Sequence, residues 1–170
     1  MNTTTITNVK TSDGTVTKIG VRCPYHPTIV KQFRALNGKW NQDKKAWYFD
    51  VHAKAQVVDA LRSVFGAAPG DPAPRLVTVV LKPAFMDAVY RDETISALGR
   101  VVASRLGRDA RVQLGPGVVL RSGGFRPSGG SSRKPELAPE EGTSLEVKDV
   151  PYVLAEQLKA QYGDAVEIVA

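Results

Sequence analysis

Between positions 39 and 49 the chain gathers three lysines and four aromatic rings, in the order Lys39, Trp40, Asn41, Lys44, Lys45, Trp47, Tyr48, Phe49. Ammonium groups set this closely neutralise neighbouring phosphates, and an exposed ring stacks on an unpaired base for about 1–3 kcal/mol. In an extended strand, alternation puts Trp47 and Phe49 on one face and Tyr48 on the other. Trp40, Trp47 and Phe49 are therefore read chiefly as packing, with Tyr48 as the ring offered to a ligand. Arg22, Lys31 and Arg34 lie on elements expected close by and extend the basic surface. Asn41 and Tyr25 complete the candidate set, Tyr25 either stacking or lying across a helix start.

Other chemistries find little material. Cys23 is the only cysteine, so neither an internal disulfide nor a thiolate zinc site can form within one chain, and a buried, inert thiol is expected. His26 and His52 are the only histidines, each beside an expected helix start, with no partner set for a Ser/His/Asp arrangement. Asp43, Asp50 and Asp59 have ordinary roles as turn, cap and solvated helix residues, which leaves a Mg²⁺-dependent nuclease as a minor alternative. Gly123, Gly124, Gly129 and Gly130 fit no phosphate-cradling strand-to-helix motif and read as flexibility. The expectation is no enzyme, no cofactor and no metal.

The elements that would position the basic hairpin follow from local patterns. Thr3–Lys10 and Thr15–Cys23 read as strands around a Ser12-Asp13-Gly14 turn. Pro27 opens a helix whose stripe is Ile29, Val30, Phe33 and Leu36, and Asn37-Gly38 ends it. The Lys39–Phe49 hairpin comes next. Asp50 then caps a helix carrying Val57, Val58, Leu61, Val64 and Phe65, which Gly66 stops. The order is β-β-α-β-β-α over residues 1–66, an α+β module.

Tyr25, Trp40, Asn41, Lys45, Trp47 and Phe49, in this order and spacing, resemble the HARP domain. That domain is the substrate-recognition module of Swi/Snf-type annealing helicases, with related modules in bacterial, plasmid and phage proteins. The resemblance covers residues 20–66 and implies binding of forked or single-strand/double-strand junction DNA. No Gly-x-x-x-x-Gly-Lys-Ser/Thr pattern occurs, so it does not extend to an ATP-driven motor.

Residues 67–74, AAPGDPAP, read as an exposed, stiff linker. Residues 75–170 read as a second α+β module. It is expected to hold a strand over 75–82 ended by Pro83, a helix over 92–106, a hairpin over 110–121, a short strand over 144–147, a helix opened by Pro151 and a last strand over 165–169. Residues 122–142 contain too little apolar material to offset their ordering entropy and read as a mobile loop. Arg100 and Arg105, on the polar side of the expected helix, and Arg121, Arg126 and Arg133 are candidate secondary contacts. Both halves share a strand, helix, hairpin or split hairpin, helix order ending in an aromatic-Gly pair (Phe65-Gly66, Tyr162-Gly163), which suggests an internal structural repeat.

The net charge of +6 is unevenly placed: residues 1–74 hold ten Lys and Arg against five Asp and no Glu, leaving about +5 there. Nucleic acid, DNA ahead of RNA, is the expected partner. The alternative is a protein-binding inhibitor or adaptor of anti-restriction or anti-CRISPR class, with the second module as partner surface; a basic chain would then act by some route other than acidic DNA mimicry. No apolar run approaches the roughly 20 residues of a membrane span, and the polar first ten residues lack a signal-peptide centre, so a cytoplasmic protein is expected.

Overall fold

The computed structural model describes residues 4–169, an α+β chain of four helices and eleven strands in three small sheets. Thr3 lies outside the described residues. The chain divides into two compact units, Met1–Ala73 and Pro74–Ala170.

In the first unit, β1 (Thr5–Lys10) and β2 (Val16–Arg22) form a hairpin, with Asp13 accepting from Thr11 and from the Thr15 amide in the turn. There follow α1 (Pro27–Ala35), β3 (Lys39–Asn41), β4 (Ala46–Asp50), a 3-10 turn at Val51–Ala53 and α2 (Lys54–Phe65). The antiparallel sheet runs β1-β2-β4-β3, so the β3–β4 hairpin docks β4 beside β2 and leaves β3 as an edge. Pro27 suits the first turn of α1, where the missing N–H costs nothing. Ile29 and Phe33 then bury against Ile19, Val21, Trp47 and Phe49, joined by Val57, Leu61 and Val64 of α2. Phe33 centres this core, its ring 5.7 Å from that of Trp47 and 4.9 Å from that of Phe49, both edge-on. Gly38 is needed here because a β-carbon would meet the Phe33 carbonyl oxygen at 2.7 Å.

Residues 67–71 are not a free linker. Ala68 is buried, and Asp71 takes a two-pronged bond from Arg62 of α2 at 2.7 and 2.8 Å and another from the Ala68 amide. Those bonds, the Arg62 guanidinium first, hold the Asp71 carboxyl down to about 2. Pro and Gly composition suggested stiffness but carried no sign of this anchor.

The second unit departs further from expectation. It comprises β5 (Leu76–Leu81), α3 (Pro83–Ala88), β6 (Thr94–Ala97), β7 (Arg100–Ser104), β8 (Gln113–Leu114), β9 (Val118–Ser122), β10 (Ser144–Pro151), α4 (Tyr152–Tyr162) and β11 (Val166–Val169). One sheet runs β11-β5-β10-β9 and a second β6-β7-β8. The expected helix over 92–106 is the β6–β7 hairpin. Its tight turn, Leu98-Gly99, has φ of 55° and 74°, the handedness that two-residue hairpin turns need. Ile95, Leu98 and Val102 are buried as a helix stripe would be, but the β-branched pairs around them favour strands.

Pro83 does end a strand, yet it also opens α3, a helix absent from the sequence reading. The expected hairpin over 110–121 is not one: β8 pairs with β7 and β9 with β10, so Gly115-Pro116-Gly117 carries the chain between sheets. The strand orders of the two units differ, and the fold establishes no internal repeat.

Residues 122–142 form an ordered segment instead of a mobile loop. Phe125 bridges to Pro139 and Gly130 to Pro135, while Leu137, Ala138 and Pro139 are buried. Backbone bonds tie Leu137 to Asp92, Ala138 to Tyr90 and Gly129 to Arg108 at 2.8–3.2 Å. Arg105 supplies the rest. Its guanidinium is 0% exposed, with Nη1 donating toward the carbonyls of Arg108, Ala110 and Pro127 and Nη2 toward those of Arg126 and Leu137. The segment is thus organised around a buried cation, which hydrophobic patterning does not register.

Candidate nucleic-acid interface

Strand alternation gives the first sheet two different faces. Ile19, Val21, Trp47 and Phe49 point to the side where both helices pack. The other side shows Thr7, Gly20, Tyr48 and Lys39 side by side in one row, with Val9, Lys18 and Asp50 in the next. Arg22 ends β2 on this open face and donates from Nε to the Lys44 carbonyl at 3.3 Å. Tyr48 is half-buried, while Lys18, Arg22 and Lys39 are exposed.

The β3–β4 turn carries Lys44 and Lys45 into solvent. Asn41 shapes it by accepting from the Lys44 amide at 2.8 Å, so its oxygen is committed to the turn. Lys45 adopts φ 47°, a left-handed position that completes the reversal. Five cations, Lys18, Arg22, Lys39, Lys44 and Lys45, thus lie on or beside the open face, against Asp43 in the turn and Asp50. Asp50 is occupied as a cap, accepting from the His52 amide at 2.9 Å.

Not all candidate residues belong to this surface. Lys31 and Arg34 are exposed on the outer side of α1, which packs on the opposite face of the sheet through Ile29 and Phe33. They do not extend the Tyr48 surface, because a helix laid on one face of a sheet turns its solvent side away from the other. Trp40 is only partly core. It pairs with Trp47 at 5.6 Å between ring centroids but is 49% exposed on edge strand β3, its Nε1 donating to Gln42 at 2.8 Å. Tyr25, 73% exposed, precedes α1 and is free to meet a ligand.

That start is made by His26, 5% exposed, whose Nδ1 accepts from the Thr28 amide at 3.3 Å while Nε2 is buried without a partner. Burial holds the His26 imidazolium pKa below its ordinary value of 6.5. Burial also pushes the half-buried Cys23 thiol up to about 11, the environment of an unreactive sulfur. Among the described residues no three His, Cys, Asp or Glu side chains converge to hold a metal ion, and no helix is long and apolar enough to cross a membrane.

In the second unit, Arg105 is removed from the candidate contacts by its burial. Arg100 is half-buried, donating to the carbonyls of Pro116, Lys148 and Asp149 at 2.7–3.1 Å, and is likewise structural. Arg121, Arg126 and Arg133 are exposed, with the Arg126 guanidinium 5.9 Å from the Tyr90 ring centre.

Comparison with family models, with curated proteins and with solved structures returns no match. Lys18, Gly20 and Thr7 were not among the sequence candidates, because a residue's face becomes readable only once the β2–β4 register is fixed. The signal available was the alternation of Lys18, Gly20 and Arg22 along β2.

Proposed function

We propose that this chain is a non-enzymatic nucleic-acid-binding protein that engages single-stranded or junction DNA on the open face and turn of its first sheet. One observation carries this reading: Tyr48 stands on the helix-free face with Lys39 beside it, Lys18 and Arg22 on the neighbouring strand, and Lys44 and Lys45 at the adjoining turn. Ammonium and guanidinium groups track the phosphates, and the phenol stacks on a base. This pairing favours unpaired strands, whose bases are free to leave the stack. The HARP-like pattern of residues 20–66 points the same way and adds the junction preference. Arg121, Arg126 and Arg133 are kept as secondary contacts.

The Lys44→Glu/Lys45→Glu variant tests the reading. Both side chains are solvent-exposed, so the fold should persist while affinity for a labelled single strand falls at least tenfold at about 50 mM salt. Unchanged affinity would move the interface off the hairpin.

One observation favours a second reading, a protein-binding inhibitor or adaptor. Edge strand β9 exposes Val119 and Leu120, 47% and 39% respectively, offering a sheet edge to which a partner's strand can add. Recovery of one stoichiometric protein from nuclease-treated host lysate, by wild type but not by Leu120→Lys, would favour it over DNA binding.

A further inference from the structure

Gly20 sits in the middle of β2, bonded on both sides by β1 and β4, where glycine weakens a strand through lost backbone entropy and absent packing. Its left-handed freedom is not in use, since it is not among the positive-φ glycines. What the position does lack is a side chain. A β-carbon there would meet Thr7 Oγ1 at 3.1 Å and Tyr48 Cε1 and Cζ at 3.4 and 3.7 Å.

Neighbouring strands lie roughly 4.8 Å apart and their side chains stand nearly perpendicular to the sheet. Ring atoms this close to the Gly20 position mean that the Tyr48 ring leans across β2 instead of standing upright over β4. The ring thus overlies the Gly20 position on the face that also carries Lys18, Arg22 and Lys39.

We propose that Gly20 is a positioning residue that makes Tyr48 a stacking platform for an unpaired nucleotide, the nucleic acid crossing the open face along the Thr7–Gly20–Tyr48–Lys39 row. This rests on the nucleic-acid reading above and gives it a specific geometry. A bare β-carbon at position 20 would touch the ring only at van der Waals distance, but the γ atoms of a threonine or valine would reach into the space the ring occupies and lift it toward the upright rotamer, where it presents an edge to the incoming base. The phosphate contacts at Lys39, Lys44 and Lys45 are untouched by that change, so charge-driven attraction survives and the stacking contribution is lost.

The test is a double-mutant cycle on the full chain, read by anisotropy of a fluorescein-labelled twelve-residue oligothymidylate, with thermal unfolding recorded for every variant. Gly20→Thr, a change toward a strand-favouring residue, should unfold at or above the wild-type temperature yet bind about tenfold more weakly. Tyr48→Ala should show a similar loss, and Tyr48→Phe should retain binding. The Gly20→Thr/Tyr48→Ala double variant should bind no worse than Tyr48→Ala alone, because Gly20 acts only through the ring. If Gly20→Thr does not fold, Gly20→Ser and Gly20→Val, which also carry γ atoms, enter the same cycle.

Wild-type binding by well-folded position-20 variants overturns the proposal, as do losses that add in the double variant. If neither single variant affects binding while Lys44→Glu/Lys45→Glu abolishes it, the platform falls and the nucleic-acid reading stands. If wild type itself does not bind, both fall.

Discussion

Arg105 shows how one residue substitutes for a core. Most of its donors satisfy main-chain carbonyls drawn from three stretches of chain, 108–110, 126–127 and Leu137, and none of those bonds goes to a carboxylate. A buried planar fork with several terminal N–H groups can serve carbonyls arranged in one plane, which an ammonium cannot. Arg105→Met leaves those carbonyls without a partner and should cost about 3–5 kcal/mol in denaturant unfolding, with new protease cleavage inside 122–142. Arg105→Lys, with three donors, should recover part of the loss. Equal protease resistance in wild type and Arg105→Met would show that the bridges and backbone bonds suffice. Residue identity alone hid this role: an arginine in an amphipathic-looking stretch reads as a solvated face, and only the hairpin turn at Leu98-Gly99 carries it inward.

At the level of elements, the first unit was readable because each element carries its own punctuation. Pro27, Asn37-Gly38 and Gly66 mark the starts and stops that α1 and α2 follow, whereas Asp50 caps the 3-10 turn Val51–Ala53 and not α2, which starts after Ala53 without a side-chain cap; period two along Trp47-Tyr48-Phe49 assigned the faces. The second unit lacks such clarity. Ile95, Leu98, Val102 and Leu106 satisfy a helical spacing by accident of a two-residue turn between strands, and β8 and β9 pair with strands far from each other in sequence. The candidate site divided for the same reason. Tyr48, Lys39 and Arg22 follow from alternation within strands, whereas excluding Lys31 and Arg34 required knowing which face α1 covers.

The cap of α1 gives a pH dependence of known sign. His26 accepts the Thr28 N–H only when its Nδ1 is unprotonated, and burial opposes the charged form, so its folded pKa lies below the unfolded value near 6.5. The unfolded chain therefore binds the proton first as pH falls. The contribution is complete above about 6.5 and is lost progressively as pH drops from there through the folded pKa. Unfolding temperature of the first unit should fall between pH 7 and pH 5, and His26→Asn, which keeps an acceptor without titrating in that range, should flatten the profile. An identical slope in both proteins would contradict the assignment.

For the molecule as a whole, the two hydrophobic cores share no residue: Phe33, Trp47, Phe49 and Leu61 build one, Leu81, Phe85, Leu137 and Leu145 the other. Each unit can bury its own apolar surface, so residues 1–73 made alone should unfold cooperatively and retain single-strand binding within a few fold. Failure of that fragment to fold would place part of its stability in the second unit. The excess positive charge also sits in the first unit, which is where a polyanion would be drawn.

The central claim is most directly tested by titrating salt against binding of the full chain to labelled single-stranded, duplex and forked DNA. With four or five phosphates neutralised by Lys18, Arg22, Lys39, Lys44 and Lys45, the logarithm of affinity for the single strand should fall against the logarithm of salt with a slope of about −3. Single-stranded and forked DNA should be preferred over duplex at every salt concentration. A slope near zero, or a duplex preference that Tyr48→Ala leaves unchanged, would contradict the account.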